Sequence, residues 1–204
     1  MHEPLQRTID DLVLRFDTIP DDRKRTLERV AIFIAERIAE GGLIELTFIC
    51  THNSRRSHMA QLWAAAAATQ SGIPGVKTYS GGTEATAFDR RAVQAMRRVG
   101  FVVDNPGGPN PHYRARYSDD APTIECFSKR YDDSVNPHGD FIAVMTCSQA
   151  DEACPVVHGA VLRVLVGYED PKISDGTPEE TAIYDARCRQ IGTEMLYLFS
   201  HVHA

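Results

Sequence analysis

The chain has 204 residues, 43% of them hydrophobic and 25% charged, with a net charge of -6 at neutral pH. These are globular proportions without an apolar run near the roughly 18 residues a membrane span needs. The scattered basic residues, not interleaved with aromatics, exclude an extended nucleic-acid surface, so any anion site must be local. The opening "MHEPLQRTIDDLVLRFD" lacks the basic-then-apolar layout of a secretion signal, which makes a cytoplasmic location the expectation. With it go reduced thiols, not a disulfide framework, for the five cysteines Cys50, Cys126, Cys147, Cys154 and Cys188. None of them forms a Cys-x2-Cys pair, so neither a structural metal nor another bound cofactor is expected.

Leu5, Ile9, Leu12 and Phe16 share one helical stripe, Pro20 interrupts it, and Leu27, Val30, Ile34 and Ile38 form a second stripe ending at Gly41-Gly42. This spacing predicts a helical hairpin over 1–42, packed as a layer on the helices of the main fold, with a homodimer contact as the alternative. From residue 43 short apolar strands alternate with helices, the pattern of a parallel sheet in an α/β fold with helices on both faces. The four strands are expected at about 43–49, 76–79, 141–146 and 161–166, and helices at 57–71, 88–99 and 178–200. Thr177-Pro178-Glu179-Glu180 suggests a capping box with proline in the first turn for the last helix. The proline-rich stretch 104–140 is an insertion in a domain spanning 43–204, with two possible strands at 112–117 and 123–128.

The chemistry concentrates in "CTHNSRRS", residues 50–57, where an apolar strand meets a helix. A cysteine is a useful nucleophile only as thiolate, and a loop of inward-pointing amides at a helix start stabilises that anion. The same nest, made by Thr51, His52, Asn53, Ser54, Arg55, Arg56 and Ser57, binds a tetrahedral oxyanion. Arg56 can close over it with a planar fork that holds two oxygens. Ser57 can donate to the Cys50 sulfur. Asn53 tolerates left-handed backbone and is expected to bond its own backbone, while Arg55 is expected to point outward.

Cys50, Asn53, Arg56 and Ser57, followed by Met59-Ala60, resemble the phosphate-binding loop of low-molecular-weight protein tyrosine phosphatases and of the thioredoxin-coupled arsenate reductases built on the same fold. The wording Cys-Thr-x-Asn-Ser-x-Arg-Ser is closer to the reductases, and "YSGGTEATAFDRRAVQAMRRVGF" resembles the family's strand end and following helix. The resemblance implies a four-stranded parallel sheet and a serine, Ser80, buttressing the loop asparagine. It also implies an aspartate at Asp170-Pro171 that protonates the leaving oxygen. Read on its own residues, the pair Cys147 and Cys154, seven apart, says little. Within the resemblance it implies a thiol relay: Cys147 attacks the arsenylated Cys50, Cys154 resolves the resulting disulfide in a segment expected to be a mobile loop, and thioredoxin acts as external reductant.

The expected function is reduction of arsenate to arsenite. One alternative is a phosphatase acting on protein tyrosine or a small phosphomonoester; a second is a non-catalytic oxyanion or redox sensor. Lys172-Ile173, standing where the phosphatases commonly carry aromatic residues, favours the first reading. Cys188 falls on the stripe Tyr184, Ile191, Met195, Phe199 and reads as core, as does Cys126 beside Ile124 and Phe127; His201 and His203 read as a terminal tail.

Overall fold

The computed structural model describes residues 1–104, 106–154 and 156–203. The chain opens with helices α1 (Glu3–Val13) and α2 (Asp21–Ala39). Pro4 occupies the first turn of α1, where an absent N–H breaks no intrahelical bond. The predicted stripe residues Leu5, Ile9, Leu12, Leu27, Val30 and Ile34 are all buried in the main core. The hairpin therefore shares its apolar interior with the rest of the fold.

Strand β1 (Ile44–Cys50) leads through the site loop into α3 (Arg56–Gln70), and β2 (Val76–Gly82) is followed by α4 (Arg90–Arg98). The next segment holds three short antiparallel strands, β3 (Val102–Val103), β4 (Tyr113–Arg116) and β5 (Ile124–Cys126). The chain returns to the main sheet with β6 (Phe141–Met145), α5 (Ser148–Ala153) and β7 (Ala160–Leu165), then ends in α6 (Glu180–Ser200). The main sheet has the four parallel strands expected from the sequence, in the order β2-β1-β6-β7.

Side chains alternate across the sheet with period two, so each strand feeds two interiors. Leu46, Phe48, Ile142 and Val144 join the large core beneath α3, α6 and the N-terminal helices. Ile49, Phe141, Ala143 and Met145 face the other way, into a small apolar cluster with Ala150 of α5. The helix α3 is buried along nearly its whole length, from Arg56 to Ala68. Its run of alanines permits that, because small side chains allow the sheet and α6 to approach from different sides.

Two expectations fail locally. The capping box at Thr177 does not form: the Thr177 hydroxyl donates to the Ser174 carbonyl, the Glu180 carboxylate accepts from the Gly176 N–H, and α6 begins only at Glu180. The predicted loop after Cys147 is instead the short helix α5.

Candidate active site

The strand order places the site. In an open parallel sheet ligands bind outside the carboxyl ends of the strands, where the chain order reverses direction. Here that reversal lies between β1, whose first crossover runs to β2, and β6 on its other side. Ile49 of β1 pairs with Met145 of β6, and the Thr146 N–H donates to the Ile49 carbonyl at 2.7 Å. Cys50 and Cys147 thus emerge from the ends of neighbouring strands, although 97 residues separate them in sequence.

Between Cys50 and Arg56 the loop turns its carbonyls outward. Those of Cys50 and Thr51 accept from the N–H groups of Thr83 and Glu84, and that of Ser54 from the N–H of Asp89. The His52 carbonyl takes the hydroxyls of Ser128 and Thr86. Among the described residues no backbone N–H of 51–55 is spent on a protein acceptor, so the loop's donors remain for a ligand. Asn53 has a φ of 44°, the left-handed conformation that lets the chain curl this tightly. Gly82 presses on the outside of the curl; a Cβ there would stand 2.7 Å from both the Asn53 nitrogen and the Thr51 oxygen.

Cys50 is 3% exposed, and its sulfur lies 3.1 Å from the Ser57 hydroxyl, the contact expected from the sequence. Asn53 does not bond its own backbone. Its amide nitrogen donates to the Ser57 hydroxyl at 2.9 Å, and its amide oxygen accepts from the Lys129 N–H at 2.9 Å. Ser80 does not buttress Asn53 directly either. Its hydroxyl meets Nδ1 of His58, a buried ring stacked on Phe88 and held neutral by burial and by the nearby Lys129 charge. Braces from the insertion, Ser128 and Lys129, give no sequence signal, since Lys129 acts through its backbone and a serine hydroxyl at the end of a possible strand does not announce its partner.

Arg56 is 5% exposed and stretches over the loop. One terminal nitrogen donates to the Tyr168 carbonyl at 2.9 Å and the other to the Asp170 carboxylate at 2.7 Å, while its buried Nε has no hydrogen-bond partner among the described residues. Asp170 also caps the 3-10 turn Pro171–Ser174 by accepting from the Lys172 N–H. A cavity of about 1000 Å³ opens beside Arg56 and Asp170, walled by His52, Ser148, Leu165 and Tyr168.

Arg55 departs from expectation. It turns inward, donating to the Tyr184 hydroxyl at 2.8 Å and to Asp89 at 2.9 Å, with Asp175 at 3.6 Å. Burial works against its charge, but Asp89 and Tyr184 outweigh it and hold the guanidinium above its ordinary range. Its contribution to the loop is structural bracing through the buried pair.

The five cysteines divide into two groups. Cys50, Cys147 and Cys154 share the small apolar cluster on the α5 face, whereas Cys126 and Cys188 are sealed in the large core, where burial pushes each thiol up to about 12. Cys147 caps α5, its sulfur accepting from the Ala150 N–H at 3.4 Å and lying 3.5 Å from the Thr51 hydroxyl. Cys154 closes the other end of α5 and donates to the Val156 carbonyl at 3.2 Å. Among the described residues no group of three or more His, Cys, Asp or Glu side chains is placed to hold a metal ion, and no helix is long and apolar enough to cross a membrane.

The family described as Low molecular weight phosphotyrosine protein phosphatase matches residues 45–110. An arsenate reductase of Bacillus subtilis is 30% identical over 149 residues, which cover 72% of this chain and 89% of that protein. This chain belongs to the family of low molecular weight phosphotyrosine protein phosphatases and related arsenate reductases. Low molecular weight phosphotyrosine phosphatases from Vibrio cholerae O395 and T. tengcongensis superpose with TM-scores of 0.52 and 0.53 at 15% and 17% identity. They cover 77% and 76% of this chain and 94% and 97% of their own, and they carry the fold alone. Helices α1 and α2 lie before the region that the family matches, which begins at residue 45.

Proposed function

We propose that this protein is an arsenate reductase in which Cys50 is the nucleophile, Arg56 and the loop amides hold the oxyanion, and Cys147 and Cys154 carry away the oxidising equivalents. The observation that carries this reading is the sorting of the thiols: the three that a relay needs share one apolar cluster beside the loop, and the two it does not need lie in the other core. The identity to the Bacillus subtilis arsenate reductase supports the same choice.

The geometry supports the following chemistry. The Cys50 thiolate attacks arsenic, a bond from arsenic to oxygen breaks, and Asp170 protonates the departing oxygen so that water leaves. The Cys147 thiolate then attacks the Cys50 sulfur; the electron pair of the sulfur–arsenic bond stays with arsenic, which leaves as arsenite, and a Cys50–Cys147 disulfide forms. Attack by Cys154 on Cys147 frees Cys50 and leaves a Cys147–Cys154 disulfide, which an external dithiol of the thioredoxin kind reduces.

The last exchange needs movement. Cys147 and Cys154 cap opposite ends of α5, and seven residues of helix span about 10 Å, beyond the roughly 4.4–6.8 Å between Cα atoms that a disulfide allows. The helix must therefore unwind when the second disulfide forms. At six residues it is short enough to unwind readily, since isolated helices of such length are marginal.

The decisive experiment assays arsenate with a thioredoxin system, beside an aryl phosphate, on wild type, Cys147→Ser and Cys154→Ser. Cys154→Ser is expected to stop after one turnover with a Cys50–Cys147 disulfide visible by non-reducing peptide mass mapping. Undiminished steady-state reduction by that variant would sink the relay. Aryl phosphate turnover that survives in both variants, without arsenate turnover in wild type, would make the protein a phosphatase.

A further inference from the structure

The segment 166–170 joins β7 to the Asp170 turn and carries both partners of Arg56, the Tyr168 carbonyl and the Asp170 carboxylate. On the sheet side it is fixed by two backbone bonds, Val166 N–H to the Met145 carbonyl and Tyr168 N–H to the Thr146 carbonyl. On the other side it is held by a residue of the N-terminal hairpin. Arg23 of α2 donates to the Gly167 carbonyl at 2.6 Å, lies over the Tyr168 ring with its guanidinium carbon 5.3 Å from the centroid, and faces the Glu194 carboxylate at 3.7 Å. Glu194 is 2% exposed and is also oriented by Gln190, whose amide donates to it at 3.1 Å.

These three contacts leave the Arg23 fork little freedom: two lie on the loop, its backbone at Gly167 and its aromatic side chain at Tyr168, and the third on α6. A planar group bonded to one residue and stacked on the next fixes the rotation of the peptide between them. The next carbonyl along is the one that Arg56 uses, and Asp170 follows two residues later. We propose that Arg23 is a positioning residue for the Arg56–Asp170 pair, so that the N-terminal hairpin sets the aim of the acid at a site built otherwise from the sheet. This rests on the reading of Asp170 as the acid, and it gives α2 a catalytic consequence beyond packing.

The test is a double-mutant cycle on whichever of arsenate or aryl phosphate wild type turns over, with the inhibition constant of inorganic phosphate measured alongside. Asp170→Asn is expected to cost about 100-fold or more in kcat, the scale of a lost general acid. Arg23→Ala is expected to lower kcat by roughly ten-fold while phosphate inhibition moves less than about three-fold, because the loop amides and Arg56 still meet the anion. Arg23→Lys should recover part of the loss, since an ammonium can still donate to Gly167. In the Asp170→Asn background Arg23→Ala should add almost nothing. Equal losses from Arg23→Ala with and without Asp170 would overturn the inference and leave the acid in place. Unchanged kcat in Arg23→Ala would do the same. If Asp170→Asn keeps full turnover, the acid assignment itself fails, and the role of Arg23 fails with it.

Discussion

Arg55 and Arg56 are adjacent, equally charged and nearly equally buried, and they meet different partners. Arg56 spends its terminal nitrogens on the Tyr168 carbonyl and Asp170, while Arg55 spends its donors on Tyr184 and Asp89 with Asp175 nearby. Removing either cation should therefore harm a different property. Arg55→Ala strips its nearest cation from Asp89 and one of two cations, each at 3.6 Å, from Asp175, leaving Arg91 at 3.7 and 3.6 Å. We expect a loss of about 1–3 kcal/mol in urea unfolding with phosphate inhibition nearly intact. Arg56→Ala is expected to abolish phosphate protection of Cys50 against alkylation. Parallel loss of phosphate binding in both variants would show that Arg55 also holds the anion.

At the scale of the element, the α3 and α6 pair shows how closely the sheet's cover is fitted. Gly192 of α6 lies against the Trp63 indole of α3; a Cβ there would come to 2.7 Å from the ring and 2.9 Å from Leu12 of α1. Trp63 is fully buried, donates to the Cys188 sulfur at 3.4 Å and packs edge-on to Phe101, so the ring has nowhere to retreat. Alanine would gain roughly 1 kcal/mol in helix propensity but cost about 1–3 kcal/mol in overpacking at a site that cannot yield. Gly192→Ala should lower the urea midpoint, and an unchanged or raised midpoint would mean that α6 slides freely. Elements of this kind were legible in the sequence because long helices and buried strands repeat their apolar residues; the stripes of α1, α2 and α6 and the strand ahead of Cys50 all read directly. Short or non-local features were not. Six residues of α5 are fewer than two helical turns and carry no period. The partners of Arg55 lie 34 and 129 residues away, and the brace on Asn53 is a backbone N–H that no side-chain pattern announces. The site followed the same division: Cys50, Arg56 and Ser57 announced themselves by spacing, whereas Tyr168 enters through its carbonyl.

Across the whole molecule, the large core acts on the two thiols it encloses. Cys126 and Cys188 have no exposed surface, and burial raises each to about 12. In the unfolded chain a thiol ionises near pH 8.5. Between about pH 8.5 and 12 the unfolded state has therefore released protons that the folded state still holds, and stability must fall as pH rises; below that window the contribution is complete. Each buried thiol adds up to about 1.4 kcal/mol per pH unit to the slope. Tyrosines have ordinary values near 10, so the interval from about pH 8.5 to 10 reports mainly on thiols. Urea midpoints of the reduced protein at the two ends of that interval should fall steeply for wild type and less steeply for Cys126→Ala/Cys188→Ala. Loss of the Trp63 contact in that variant lowers stability at every pH and leaves the slope difference readable. Iodoacetamide at pH 8 should leave both thiols unmodified in the folded protein, so that redox chemistry is confined to the cluster around α5. Equal slopes, or labelling of Cys126 or Cys188 before unfolding, would show that the large core does not separate its thiols from those at the site.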